Sequence, residues 1–197
     1  MGHKSARDQR RGGRGTVDGR KRWRMRPTLL ALEERTLLSL FTVTNTVDSG
    51  TGSLRYEIGL ANSHVGSNTI NFSSIVFNTP KTITLRGTQL ELSNTSGTER
   101  ITGPAARVTV SGGGLSRVFQ VDASVTASIS GLTIARGKAG TGGGGLYDDG
   151  GTTTPTFCTV SGNSAGTNGG GLLDQGGMTT LTNCIVSGNS AFNGGGG

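Results

Sequence analysis

From residue 131 onward, apolar side chains come in short alternating pieces set between Gly, Ser, Thr and Asn, and the pieces recur. GLTIARGKAGTGGGGL (131–146), FCTVSGNSAGTNGGGLL (157–173) and NCIVSGNSAFNGGGG (183–197) superimpose at a shift of 26 residues. The shift carries Leu132 onto Cys158 and Cys184, Ile134 onto Val160 and Val186, Ala139 onto Ala165 and Ala191, and Leu146 onto Leu172. A fixed period of this length marks a solenoid: one repeat cannot bury its own apolar face, and stacked neighbours supply the core.

The repeat has no room for a helix. Gly, Thr, Ser and Asn dominate it, and each Gly costs about 1 kcal/mol against Ala in a helix interior. Leu132-Thr133-Ile134, Cys158-Thr159-Val160 and Cys184-Ile185-Val186 each place their outer two residues on one face of a strand. Ser-Gly-Asn at 161–163 and 187–189 then breaks the strand, because Gly and Asn tolerate the left-handed backbone of a sharp corner. Such units stack as coils of an all-β parallel β-helix, each strand pairing with its counterpart one coil away at about 4.8 Å. Residues one period apart then form ladders: Leu132, Cys158, Cys184; Ile134, Val160, Val186; Ala139, Ala165, Ala191; and Ile129, Pro155, Leu181. Asn163 and Asn189 are expected to make a short corner ladder, their amides bonding along the stack.

Upstream the strands continue with looser spacing. Thr69 to Phe72, Thr82 to Leu85, Leu90 to Leu92, Arg107 to Val110 and Val118 to Val121 all alternate, with Gly- or Pro-containing corners between them. Val110 precedes Ile134 by 24 residues, so coil length varies before the period locks in. One helix interrupts this pattern. After the turn cluster 48–52, Ser53 stands at an N-cap position, and Leu54, Ile58 and Ala61 fall at i, i+4 and i+7. A helix there can cover the unpaired strand edges of a first coil. Glu57 and Tyr56 are expected on its surface, and Arg55 is expected to tie it to the first coil by hydrogen bonds. The divisions are therefore 1–40, a basic leader; 41–72, a strand–turn–helix cap; and 73–197, the coils.

Composition fits narrow coils: Gly numbers 36 of 197 residues, aromatics 5% and charged residues 16%. Collagen is excluded, since there is no three-residue period and only four Pro. The charge is not spread evenly. Residues 1–28 hold ten Lys or Arg against Asp8 and Asp18, whereas eight basic and eight acidic side chains balance from Leu40 onward. The excess lies on an apolar-poor segment expected to be disordered, so it reads as a leader and not as a nucleic-acid face. The run 29–32 is too short for a secretory h-region, and no stretch approaches a membrane span.

LEERTLLS (32–39) resembles the LEPR-xLL leader of large bacterial cell-surface proteins: Leu32, Glu33, Arg35, Leu37, Leu38 and Ser39 match, and Glu34 stands in place of Pro. DSGTGSLRYEIGLAN (48–62) is similar to the DSGxGSLRxAI-type module that precedes right-handed β-helix repeats in bacterial adhesin-like proteins with polymorphic outer-membrane-protein-like repeats. Asp48, Gly50, Gly52, Ser53, Leu54 and Arg55 carry that pattern, with Ile58, Ala61 and Asn62 behind them. The resemblance implies a right-handed, pectin-lyase-like coil, export, and a cell-surface or extracellular location, with cell-surface glycans or other surface proteins as partners.

Chemistry is sparse. His3 lies in the leader and His64 beside the helix end, so no His pair forms. Asp148 and Asp174 are one period apart and could stack at a corner, but no basic ladder runs beside them. They read as a solvated corner that leaves room for at most a weak Ca²⁺ site; no catalytic residue and no cofactor are assigned. Cys158 and Cys184 fall within the Cα range of a disulfide, but Leu132 in the same ladder favours buried free thiols. The expected function is a non-catalytic, adhesin-like scaffold displaying the segments 141–149 and 167–175. The alternative is a polysaccharide lyase or glycoside hydrolase of the same fold. Because GGGG opens a turn elsewhere, the chain's end at Gly197 reads as an incomplete C-terminal end.

Overall fold

The computed structural model describes residues 1–2 and 39–196. The basic leader and the 32–38 part of its motif lie outside the described residues, whereas Ser39 begins the first strand, Ser39–Val43. Every strand pairing is parallel. A six-stranded sheet stacks Ser39–Val43, Asn68–Phe72, Thr98–Thr102, Thr126–Ser130, Thr152–Thr156 and Met178–Thr179. A five-stranded sheet stacks Lys81–Thr84, Val108–Ser111, Leu132–Ala135, Thr159–Ser161 and Ile185–Ser187. A four-stranded sheet follows (Leu90–Leu92, Phe119–Val121, Leu146–Asp148, Leu172–Asp174), and a three-stranded strip of two-residue strands begins at Lys138–Ala139. The chain visits these faces in rotation, so the fold is a parallel β-helix of six turns.

Register records how the coils settle. Thr126 pairs with Thr152 and Thr152 with Met178, the 26-residue period read in the sequence. Earlier coils are longer: Asn68 pairs with Glu99 and Thr98 with Thr126. On the five-stranded sheet, Val110 pairs with Ile134, the short 24-residue step. The interior is built of ladders. Ile70, Ile101, Ile129 and Pro155 run down one face, and Ile83, Val110, Ile134, Val160 and Val186 down another. Each aliphatic taken fully inside contributes about 1.5–3 kcal/mol, which is why small branched side chains suffice in so narrow a core. Phe77 fills a wider early coil, edge-on to Phe72 at 5.1 Å between centroids. Cys158 and Cys184 stack behind Leu132 with free thiols. In the last coil the ladder ends are open, with Val186 at 37% exposure against 0% for Val160.

The helix, Leu54–Ser63, forms where its cap residue directs it: the Ser53 hydroxyl accepts from the Tyr56 amide at 3.2 Å. Leu54, Ile58 and Ala61 face the core. Glu57 does not sit on the surface as its charge suggests; it is buried too, and desolvation raises its pKa. The reason is its place one turn after the cap, on the same inward stripe as Leu54 and Ile58. Asn62 makes the junction to the sheet. Its carboxamide donates to the Glu91 carbonyl (2.8 Å) and accepts from the Ser93 amide (3.0 Å), the pair of bonds a parallel neighbour would make across Leu92. The side chain thus replaces a missing strand at the sheet edge. No helix of the described residues is long and apolar enough to cross a membrane.

Candidate functional site

The sequence-predicted residues act as structural devices. Asp148 points inward at a ladder position held by Leu92 and Val121 in earlier coils. It is fully buried, not solvated: its carboxylate accepts from the Gly151 amide (2.6 Å) and the hydroxyls of Thr153 (2.6 Å) and Thr179 (3.3 Å). Asp174 repeats the first bond, to Gly177 at 2.9 Å, but is exposed. These carboxylates close the Asp-x-Gly-Gly corner through backbone donors. Among the described residues no three His, Cys, Asp or Glu side chains group so as to hold a metal ion. Asn163 accepts from the Gly137 amide at 2.7 Å and donates to the Ile134 carbonyl at 3.0 Å, and Asn189 repeats the donation to Val160. Arg55 clamps the helix to the next coil, donating to Asp48 and to the carbonyls of Gln89 and Thr88.

The segment 141–149 is not a free display loop. Residues 142–146 are buried, because the glycines there press against the neighbouring coil: a Cβ on Gly144 would collide with the carbonyls of Ser164 and Gly170. What the segment does present is Tyr147 and Asp149 on the outer face of the four-stranded sheet.

That face carries a connected outward polar network. Register sets Glu91, Gln120, Tyr147 and Leu173 in one outward column. Arg117 arrives from the turn before Phe119–Val121 and is held at every arm. Its guanidinium donates to the carbonyls of Gly143 (2.9 Å) and Gly142 (2.8 Å) and to the side-chain oxygens of Gln89 and Gln120 (both 2.9 Å). Its central carbon lies 4.4 Å from the centroid of the Tyr147 ring, a cation–π contact. Burial lowers the Arg117 pKa, and nearby Tyr147 and Asp149 oppose that shift. Burial first, and then the bond to Asp149, raise the Tyr147 phenol; its hydroxyl lies 3.0 Å from Asp149 and 2.9 Å from Gln175. Gln89 donates to Gln120 at 2.6 Å, and Gln120 donates onward to Asp122 at 2.8 Å. Glu91 is raised mainly by the charge of Asp122, just past the end of the adjacent strand, and by burial after that. Beside this column runs a groove of about 550 Å³, whose walls include Thr88, Gln89, Glu91, Arg117 and Lys138.

Against family profiles, curated proteins and solved structures the chain shows no match, so its family is not assigned by likeness.

The chemistry available is that of a fixed polar surface. A basic pair, Arg117 and Lys138, flanks amide and carboxylate oxygens, with an aromatic ring beside them. Sequence reading misses this site because its members come from coils of unequal length. Gln120 and Tyr147 are 27 residues apart and Glu91 and Gln120 are 29 apart, outside the 26-residue frame.

Proposed function

We propose that this chain is an exported, extracellular or cell-surface β-helix scaffold, adhesin-like and non-catalytic, whose groove on the four-stranded sheet holds cell-surface glycans or other surface proteins. The location and the adhesin-like role rest on the resemblance of residues 32–39 and 48–62. The binding role rests on one observation: Arg117, Gln89, Gln120 and Tyr147 fix one another before any ligand arrives. Side chains already immobilised lose little entropy on binding, about 0.5–1.5 kcal/mol less for each rotamer-rich group. Binding needs no metal and no nucleic acid in this reading. A screen of the purified full chain against immobilised glycans, with Lys138→Ala and Gln120→Ala as controls, tests it. Retention without product release supports the scaffold, and no retention that depends on either side chain refutes the groove.

A second reading is a polysaccharide-cleaving enzyme, favoured by the Glu91–Asp122 pair, in which the neighbouring charge of Asp122 raises the Glu91 carboxyl toward the range of a general acid. Release of reducing ends or unsaturated uronides from pectin or alginate, abolished by Glu91→Gln, would select it.

A further inference from the structure

The outer face of the six-stranded sheet lies apart from the groove above and carries an array of hydroxyls. Thr126–Ser130 turns Ala127 and Ile129 inward and Thr126, Ser128 and Ser130 outward; Thr152–Thr156 does the same with Thr152, Thr154 and Thr156. Register stacks each outward residue of the first strand on its counterpart in the second. The next coil continues the pattern. Its Thr180 and Thr182 amides donate to the carbonyls of Thr153 and Pro155, Thr182 bridges Thr156, and Met178 closes the third column under Thr152. Hydroxyls thus repeat about 4.8 Å apart along the rod and about 6.6 Å apart along each strand.

This face differs from an ordinary solvated one in three ways. Soluble surfaces are roughly a quarter to a third Lys, Arg, Glu and Asp, yet none of these outward positions holds a charge; Arg100, one coil before Ser128, marks the limit. The rows are also straight. A coil rotated against its neighbour would slide every strand along itself. The step from Thr126 to Thr152, Thr133 to Thr159, Ala139 to Ala165 and Leu146 to Leu172 is nevertheless the same on all four sheets. Finally, the hydroxyls are held. Thr is stiff at its first torsion, and Ser130 and Thr154 donate back to the carbonyls of Ile101 and Ala127 at 3.3 Å, which leaves their lone pairs free to accept. A peptide or a sugar chain repeats in one direction, and an ion needs oxygens that converge. Ice repeats in two directions, carries no net charge, and donates and accepts at its surface oxygens, whose rows recur at intervals close to the two above. We infer that this face binds ice, its hydroxyls taking the place of water in the outermost layer and the Thr methyls lying in the hollows between rows.

The test is growth of single ice crystals in solutions of the full chain. Crystals should become faceted, and freezing should be held below melting by a gap that widens with protein concentration. Thr154→Tyr plants a ring at the centre of the array, on a residue type that strands accept, and should abolish the gap with the thermal unfolding midpoint unchanged. Thr152→Lys, at an exposed position, should do likewise. Arg100→Thr, which adds a coil to the central column, should widen the gap. Lys138→Ala and Gln120→Ala, in the groove, should leave it unchanged, so failure of this face and failure of the groove read separately. Round crystals with no gap, or a gap that survives both Thr154→Tyr and Thr152→Lys, would overturn the inference. So would retention on crystalline chitin or cellulose without any effect on ice, which would make the face a glycan platform instead.

Discussion

Glu99 offers a quantitative test of how the interior is organised. It sits in Thr98–Thr102, in register with Asn68 on one side and Ala127 on the other, and is completely buried. Neither of its carboxyl oxygens has a hydrogen-bond partner among the described residues, and the neighbouring Asn68 side-chain oxygen also lacks one. Desolvation is the main cause that pushes its pKa from 4.5 up to about 7; a backbone contact from Asn94 opposes it, and the charge of Asp122 adds a smaller push upward. Between those values the folded chain keeps a proton that the unfolded chain has released. Stability therefore falls as pH rises: the contribution is complete below 4.5 and lost on passing about 7. A tenfold change in proton affinity is about 1.4 kcal/mol, so the whole span amounts to about 3 kcal/mol. Glu99→Gln keeps the volume and removes the titration. Urea unfolding of parent and variant across this range should give curves that diverge with pH, with the variant more stable by about 3 kcal/mol in mild alkali. Glu57 and Glu91 are shifted in the same direction, but they remain in both proteins and cancel in the difference. A difference that stays constant with pH would refute the reasoning, because it would mean that Glu99 is solvated or paired.

Other substitutions probe the corners and the cap. Asp148→Ala should cost about 2–3 kcal/mol in urea unfolding, since it strands the buried Gly151 amide and Thr153 hydroxyl together. Asn163→Ala should cost about 2 kcal/mol, and Asn189→Ala clearly less, because Asn163 is enclosed by coils on both sides whereas Asn189 lies in the open last coil. Ser53→Ala should cost about 1 kcal/mol, read as a lower thermal midpoint. Amide exchange should be fastest in Ile185–Ser187 and slowest in Val108–Ser111 and Leu132–Ala135, which have paired strands on both sides.

The architecture was legible wherever the repeat was regular. Leu132, Cys158 and Cys184 reveal their stacking because equal spacing and alternating polarity point to the same strand. The cap was legible for a similar reason: Ser53 and the Leu54–Ile58–Ala61 stripe are both local signals. The burial of Glu57 is not legible in this way, because its charge points outward while its place on that stripe points inward. The burial of Asp148 is not legible either, because the donors that satisfy its carboxylate are Gly151, Thr153 and Thr179, and nothing in the local sequence states that they converge. The candidate groove was hidden further, since Glu91, Gln120 and Tyr147 meet only after unequal coil lengths have been resolved. Gly131, Phe157 and Asn183 follow one another at 26-residue steps and all take left-handed backbone, but nothing in the chemistry of Phe157 announces it.

Equal register also bears on how such a chain can change over generations. Thr133 faces Thr159 and Thr159 faces Ile185 with no residue left over, so an in-frame loss or gain of twenty-six codons here shortens or lengthens the rod by one storey. Every remaining ladder would close on a neighbour of the same kind. Length is thus adjustable in whole steps, while the helix that seals the other end stays untouched.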